Sequence, residues 1–364
     1  MRKHNSDRIL LGIVAILILS GFFILASAFL GPAAKKVEIF YAALSKQILI
    51  GLVGGGALFF IASRIPYHFW RKISIPLFLA SFLLTALVFY PQLGVMHGGA
   101  RRWLRIGFLF FQPSEVLKFG FLVYLSSWMA SHKERVASLK YGLAPFLIIT
   151  ALVAGLLFKE PNMSALIVIG IIAVALFFIA GGRFKEIAIM VLIGAGLIFL
   201  AAQTKPYIKE RLNVFLNPDY DPQGQSYQLK QSLIAFGSGG IFGRGFGMGV
   251  QKFNYLPEPT GDSIFAIIGE EFGFIGTSFL IFLFLLFMFR GFLIAIRSPD
   301  NFGRLLGSGI VILIITQSFM NMASMLGVFP LTGLPLPFIS QGGSALVMVL
   351  LESGVLLNIS RYKK

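Results

Sequence analysis

Ten stretches of about 20 mainly apolar residues recur along the chain, each long enough to cross a bilayer core as a helix. They lie near 9–30, 44–63, 74–92, 114–131, 142–158, 162–180, 186–203, 263–289, 305–328 and 339–360. In lipid every backbone N–H and C=O must find a partner within its own segment or a closed sheet. The pattern therefore predicts an all-α polytopic membrane protein with ten transmembrane helices, one domain over 1–364. Composition agrees, since 57% of residues are hydrophobic and 13% are charged, about half the charged share of a soluble domain. A soluble α/β enzyme is excluded. The first stretch is too long for a cleaved signal peptide, although Ser27 and Ala28 resemble a cleavage site, and it reads as a retained helix.

Orientation follows from Lys and Arg, which resist translocation when they sit in short loops. With the N-terminus inside, 17 of the 31 basic residues fall in cytoplasmic segments, among them Arg2, Lys3, Arg64, Arg71, Lys133, Arg135, Lys140, Arg183, Arg290, Arg304, Lys363 and Lys364. The C-terminus is then cytoplasmic too. The net charge of +16 reads as loops facing anionic lipid, not as a nucleic-acid footprint. Two outer segments break the charge rule. Arg101, Arg102 and Arg105 crowd one of them, and six more basic residues lie in the extracytoplasmic loop from about 204 to 262. A 59-residue connection is far beyond the usual length and tends to be functional or disordered. Nine aromatic residues between Tyr207 and Tyr255 give it apolar surface to pack, so it is expected to be ordered.

The absence of cysteine excludes disulfides, iron–sulfur clusters and Cys-ligated zinc, and the four scattered histidines form no metal set. The candidate chemistry lies elsewhere. Gln112-Pro113-Ser114-Glu115 is an ordinary helix start, yet Glu115 and Lys118 share a helix face at a depth where lone charges are costly. They read equally as a cap or as a cavity pair. Guanidinium groups such as Arg101 and Arg102 suit phosphate oxygens, or anchor the loop at lipid headgroups. Asp262 follows Leu256-Pro257-Glu258-Pro259-Thr260-Gly261, a stiff approach suited to holding a general base at a cavity mouth. Capping of the next helix explains it about as well.

Glu270 and Glu271 lie deeper in apolar sequence, and helix pairing is the preferred reading for them. The glycine-rich run 237–249 lacks the Gly-Lys-Ser/Thr ending of a P-loop and reads as close backbone packing. Gly333-Leu334-Pro335-Leu336-Pro337 bars a regular helix, so a re-entrant segment is expected to line the outer cavity.

Taken in order, these motifs resemble the SEDS family of bacterial cell-wall polymerases, the FtsW/RodA/SpoVE type. The pieces are Gly-Ala-Arg-Arg-Trp at 99–103, Gln-Pro-Ser-Glu at 112–115, Phe-Leu-Asn-Pro at 215–218 and Tyr-Gln at 227–228. Further on stand Gln-Ser at 231–232, Gly-Ser-Gly-Gly at 237–240, Gln-Lys at 251–252, Leu-Pro-Glu at 256–258, Asp-Ser-Ile-Phe-Ala-Ile-Ile-Gly-Glu-Glu at 262–271 and Leu-Pro-Leu-Pro-Phe-Ile-Ser at 334–340. Ser63-Arg64-Ile65-Pro66-Tyr67, Trp70 and Asn321-Met322 lean toward the division type over the elongation type.

The resemblance implies a peptidoglycan glycosyltransferase of the bacterial cytoplasmic membrane. It would polymerise lipid II into β-1,4-linked glycan strands on the outer face and release undecaprenyl diphosphate. Asp262 takes the position of the essential carboxylate; Arg101, Arg102, Glu115, Lys118, Lys252, Ser340 and Ser344 would contact substrate. A divalent cation, Mg or Mn, would assist the diphosphate, although the sequence shows no dedicated metal cage. The expected partners are lipid II, the growing strand, a class B penicillin-binding protein and other division or elongation proteins. Phe279, Phe282, Phe284, Phe287 and Phe289, with Gly307-Ser308-Gly309, are expected to offer a surface for the partner's transmembrane helix. Departures from the family pattern are Gln341 in place of Tyr, Gly261 before Asp262, and Asn162 where Asp is common. The alternative is a flippase for lipid-linked sugar. Transporters often interrupt helices at matching places in two halves, and here only 334–337 is interrupted.

Overall fold

The computed structural model describes residues 5–33, 41, 44–97, 99–107, 109–132, 142–221 and 224–362. Arg2, Lys3, Gly98, Lys133, Arg135, Lys140, Lys363 and Lys364 lie outside them, so the orientation assigned to those basic residues is not described.

The chain is mostly helical, and each of the ten apolar stretches holds a helix: α1 (Arg8–Ala28), α2 (Leu44–Arg64), α3 (Ser74–Phe89), α4 (Pro113–Ser131), α5 (Ala144–Lys159), α6 (Met163–Ile179), α7 (Phe184–Thr204), then α10 (Ile264–Ile296), α11 (Asn301–Met325) and α12 (Gly343–Ile359). Between α7 and α10 come α8 (Pro206–Leu216) and α9 (Gln225–Gly239). By length and apolar character α1, α2, α7, α10 and α11 can each cross a membrane, and α3, α5, α6 and α12 are shorter apolar helices. Leu192 on α7 is 71% exposed and Leu19 on α1 is 69%. Such surfaces are stable only against lipid. This is a multi-pass membrane protein.

Helix starts follow local chemistry. Asp7 caps α1 by accepting from the Leu10 N–H at 3.0 Å, Asp300 caps α11 through Gly303 at 2.7 Å, and Asn162 caps α6 through Ala165 at 3.3 Å. Each satisfies an N–H that the first turn leaves free. Helix α4 opens on Pro113, the residue that loses least at that position. It buries most of its residues and packs on α3, α6 and α11, which is how it carries Glu115 and Lys118 without facing lipid.

Two features of the fold depart from the sequence reading. The outer basic segment is not a loop in an all-α protein but a three-stranded antiparallel sheet, β1 (Gly94–His97), β2 (Ala100–Ile106) and β3 (Leu109–Phe111). Short turns at Gly99 (φ 76°) and Gly107 (φ 61°) allow it, because glycine takes positive φ without strain. Leu104 points inward while its neighbour Arg105 is exposed, and Trp103 stacks on Phe110 at 4.8 Å. Nor do Gly307 and Gly309 form a lipid-facing groove. They are buried, and a Cβ on Gly309 would collide with Leu122 while one on Gly307 would stand 3.1 Å from Ala295. Phe284 and Phe287 are likewise inside, whereas Phe279, Phe282 and Phe289 are exposed.

The glycine-rich run packs closely, as expected. Helix α10 breaks at Gly273, with φ 63° and ψ −160°, freeing backbone groups that lipid cannot satisfy. Phe274 N–H donates to Gly240 at 2.9 Å and Ile275 N–H to Ile241 at 3.1 Å; Arg244 and Gly245 donate back to Glu270 and Glu271, each at 3.0 Å. Added side chains at Gly239 and Gly243 would strike this backbone.

The contacts sort into two ends. At one, Arg290 grips Asp7 at 2.7 Å, Tyr67 donates to Asp300 at 2.5 Å, and Asn358 donates to the Ser63 carbonyl at 2.9 Å. The other gathers Arg102, Asn162, Arg211, Gln228, Asp262 and the irregular segment 330–342.

Candidate active site

Asp262 sits in the last turns before α10, and the loop that carries it is tied down on three sides. Asn321 of α11 donates to the Asp262 carbonyl at 2.7 Å and to the Leu334 carbonyl at 2.8 Å. Ser340 Oγ donates to the Gly261 carbonyl at 2.7 Å while accepting from Leu336 N–H at 2.7 Å. Gln341 N–H donates to the Thr260 carbonyl at 2.8 Å, and Thr260 Oγ1 to Gln341 Oε1 at 2.6 Å. The unusual Gln341 is thus a brace for the loop. With its backbone fixed, the Asp262 carboxyl is only partly buried, receiving Gln228 Nε2 at 3.3 Å on both oxygens.

Desolvation pushes the Asp262 carboxyl up to about 6; the Gln228 hydrogen bond opposes this, nearby Glu258 adds to it, and Arg211 opposes it. A carboxylate poised there is ionised at neutral pH and still basic enough to take a proton. The side chains of Arg211 and Asp262 both approach Gly333, where an added Cβ would stand 3.6 Å from Arg211 Nη2 and 3.9 Å from Asp262 Oδ2. Arg211 holds the Thr332 carbonyl through Nη1 at 3.1 Å, but its Nε is buried with no acceptor.

Arg102 repeats the pattern. It donates to the Pro161 carbonyl, while its Nε is buried and unpaired, as is the Tyr207 hydroxyl. Burial lowers the pKa of both guanidinium groups, and at Arg211 the Arg102 charge lowers it further. Glu160 lies alongside, fully enclosed, and burial raises it to about 8 against the pull of Asn162 and Arg102. Two cations with spare donors next to a mostly protonated acid form a surface that lacks an anion.

The Glu115–Lys118 pair is in contact at 2.8 Å, nearly buried. Glu115 lines a cavity of about 10 Å³ together with Gln317, Pro335, Pro337 and Glu352. The segment 330–342 therefore has Asp262 on one side and the Glu115 cavity on the other.

Four of the expected contact residues make no hydrogen bond to Asp262, Arg102 or Arg211 among the described residues. Lys252 does not reach this region: its three N–H donors go to Ser27 Oγ, the Gly247 carbonyl and Glu271 Oε1. No donor is left for a diphosphate. Ser340 has both hydroxyl roles occupied by backbone. Arg101 is exposed on β2, with no contact to Asp262 or Arg211 among the described residues. Ser344 lies partly exposed in the first turn of α12. Glu270 and Glu271 act as the pairing reading expects, accepting from Val250, Gln251, Gly247 and Gly249 N–H groups.

Sequence reasoning assigned no role to Arg211, Gln228, Glu160 or Glu352. Gln228 stands in the Tyr-Gln motif and Glu352 interrupts the tenth apolar stretch, so both carried a signal. Arg211 carried none beyond its charge.

The family model described as "Cell cycle protein", of the FtsW/RodA/SpoVE type, matches residues 7–364. A probable peptidoglycan glycosyltransferase FtsW from Geobacter sp. (strain M18) is 37% identical over 362 residues, covering 99% of this chain and 98% of that one. Stage V sporulation protein E of Bacillus subtilis (strain 168) is 36% identical, covering 100% and 99%. Among solved structures, a chain from work on the structural coordination of polymerization and crosslinking by a peptidoglycan synthase complex superposes with a TM-score of 0.82 at 29% identity, covering 98% of each chain. The Thermus thermophilus rod shape determining protein RodA gives 0.71 at 28% identity, covering 99% and 98%.

Proposed function

The chain belongs to the FtsW/RodA/SpoVE family, and we propose from that premise that it is a peptidoglycan glycosyltransferase in which Asp262 is the general base. The observation that carries the assignment of Asp262 is its setting: a braced loop, a carboxyl raised to about 6, and two arginines with unpaired donors close by. In the reaction Asp262 takes the proton from the 4-hydroxyl of the GlcNAc of one lipid II. The freed oxygen attacks the anomeric carbon of MurNAc at the end of the growing strand, and the bond to the diphosphate breaks. Displacement from an α-diphosphate leaves a β-1,4 bond.

Arg102 and Arg211, with the Tyr207 hydroxyl, receive the departing undecaprenyl diphosphate and stabilise its added charge. Glu115 and Lys118 line the inner wall of the site. Glu258, exposed beside Asp262, is the carboxylate that would share a divalent cation such as Mg or Mn with the phosphates, since such an ion keeps few protein ligands beside phosphate; when bound it would offset charge on the diphosphate. The ten helices cross the cytoplasmic membrane with both termini inside and the Asp262 end outside. A class B penicillin-binding protein would crosslink the product, and the exposed Phe279, Phe282 and Phe289 of α10 supply an apolar face for its single helix. Flipping of lipid-linked sugar finds less support, since no first-half counterpart of the 330–342 interruption is seen among the described residues.

The test is Asp262→Asn in proteoliposomes supplied with labelled lipid II. Loss of a general base costs about 100- to 10,000-fold in rate, with the protein still folded. The sign of the effect on stability is also set. A carboxyl raised in the fold opposes ionisation there, so the fold loses stability as pH climbs from the ordinary carboxylate range through about 6. Asp262→Asn removes that penalty and should be at least as stable as wild type at neutral pH. Normal polymer from this variant would reject Asp262 as the base.

A further inference from the structure

The cavity beneath the Asp262 loop is short of positive charge. Its wall holds the carboxylates of Glu115 on α4 and Glu352 on α12 and the amide of Gln317 on α11, closed by Pro335 and Pro337. Lys118 is the one cation acting on the group, and it bonds to Glu115 Oε1. No other titratable side chain from α11 or the 330–342 segment faces it. Two carboxylates against one ammonium leave one unbalanced negative charge in a bundle interior.

The hydrogen-bond inventory gives the same answer independently. Glu352 is 4% exposed and Gln317 7%, and neither has a hydrogen-bond partner among the described residues. Glu115 Oε2 also lacks one. These polar groups are not closed in by protein atoms; they face a space of about 10 Å³, the volume of one water or one small ion.

We infer that this cavity is a binding site for a single monovalent cation, a sodium ion. One positive charge neutralises the cluster, whereas a divalent ion would overshoot by one. Carboxylate and amide oxygens are the hard ligands that such an ion takes. Gln317 and Asn321 are one turn apart on the same face of α11, and Asn321 holds the Asp262 carbonyl. The occupant thus sits one helical turn from the clamp on the catalytic loop.

The purified full chain in detergent tests this without using activity, so its result is separate from the assignment of Asp262. Thermal unfolding is measured at alkaline pH with sodium chloride replaced stepwise by choline chloride at constant ionic strength. For a sodium site, the Tm rises with sodium by mass action, and the dependence disappears in Glu352→Gln. Gln317→Leu removes an oxygen and no charge; it should weaken the sodium response, and it carries the test if Glu352→Gln does not fold. A wild-type Tm that ignores sodium overturns the inference. So does a sodium dependence that survives unchanged in the variants.

Discussion

Two Lys–Glu pairs lie in the interior of this bundle with almost the same distance and burial, and they do different things. Lys252 and Glu271 meet at 2.5 Å with both side chains fully enclosed; Lys118 and Glu115 meet at 2.8 Å with 1% and 8% exposed. What separates them is saturation. Glu271 also accepts from Ser27 Oγ and the N–H groups of Gly247 and Gly249, and Lys252 spends its remaining donors on Ser27 and the Gly247 carbonyl. That pair ties α1, the glycine-rich run and α10 into one unit. Glu115 keeps an unpaired oxygen beside a cavity that Glu352 and Gln317 also line. A filled valence is a lock, and an open one marks where substrate, water or an ion is received.

The largest effect should come from unbalancing the lock. Lys252→Met leaves a fully buried carboxylate without its cation, and removing one partner of a buried pair costs about 3–5 kcal/mol. Unfolding midpoints in detergent should fall accordingly, while activity per folded molecule stays near wild type. A variant of normal stability that has lost turnover would reverse the comparison and return Lys252 to the substrate.

The open pair should behave in the opposite way. Glu115→Gln is expected to keep the fold and lower turnover, because Glu352 still balances the Lys118 charge and α4 is held by packing on three neighbours; Lys118→Met removes the one cation beside two carboxylates and should lower stability as well as turnover. A double-mutant cycle on rate should give a coupling of about 0.5–3 kcal/mol, as for residues in direct contact. Additive losses would mean that the two side chains serve separate steps.

This contrast also explains what could be read from the sequence. Helices were legible because lipid imposes length and apolar character on every span, so each expected stretch holds a helix. Glu115 and Lys118 were legible because three residues on a helix always bring side chains together. Lys252 and Glu271 stand 19 apart across a glycine-rich run and a helix break, and no local rule links them. The run Arg101-Arg102-Trp103-Leu104-Arg105-Ile106 lacks the strict polar–apolar alternation that marks a strand. Arg211 stands 51 residues from Asp262 in the chain, and no local rule places it near that carboxyl. Glu352 was a different omission: the rule that singled out Glu270 and Glu271 as intramembrane acids applies to it equally.

The smallest expected effect concerns how the catalytic carboxyl is tuned. Gln228 Nε2 stands 3.3 Å from each Asp262 oxygen and 2.9 Å from Ser263 Oγ, so its bond to the carboxylate is shared and long. It stabilises the ionised form, and its loss must raise the Asp262 pKa above about 6. A general base works ionised, hence turnover should climb with pH through about 6 in the wild type and through a higher value in Gln228→Leu. One hydrogen bond contributes about 0.5–1.5 kcal/mol net, so the acid limb should move by about one pH unit or less. Well above pH 7 both proteins should turn over alike, and near pH 6 the variant should lag several-fold. A limb that keeps its midpoint while the whole profile drops would show that Gln228 only holds Ser263 and the loop, and that desolvation and Arg211 alone set the base.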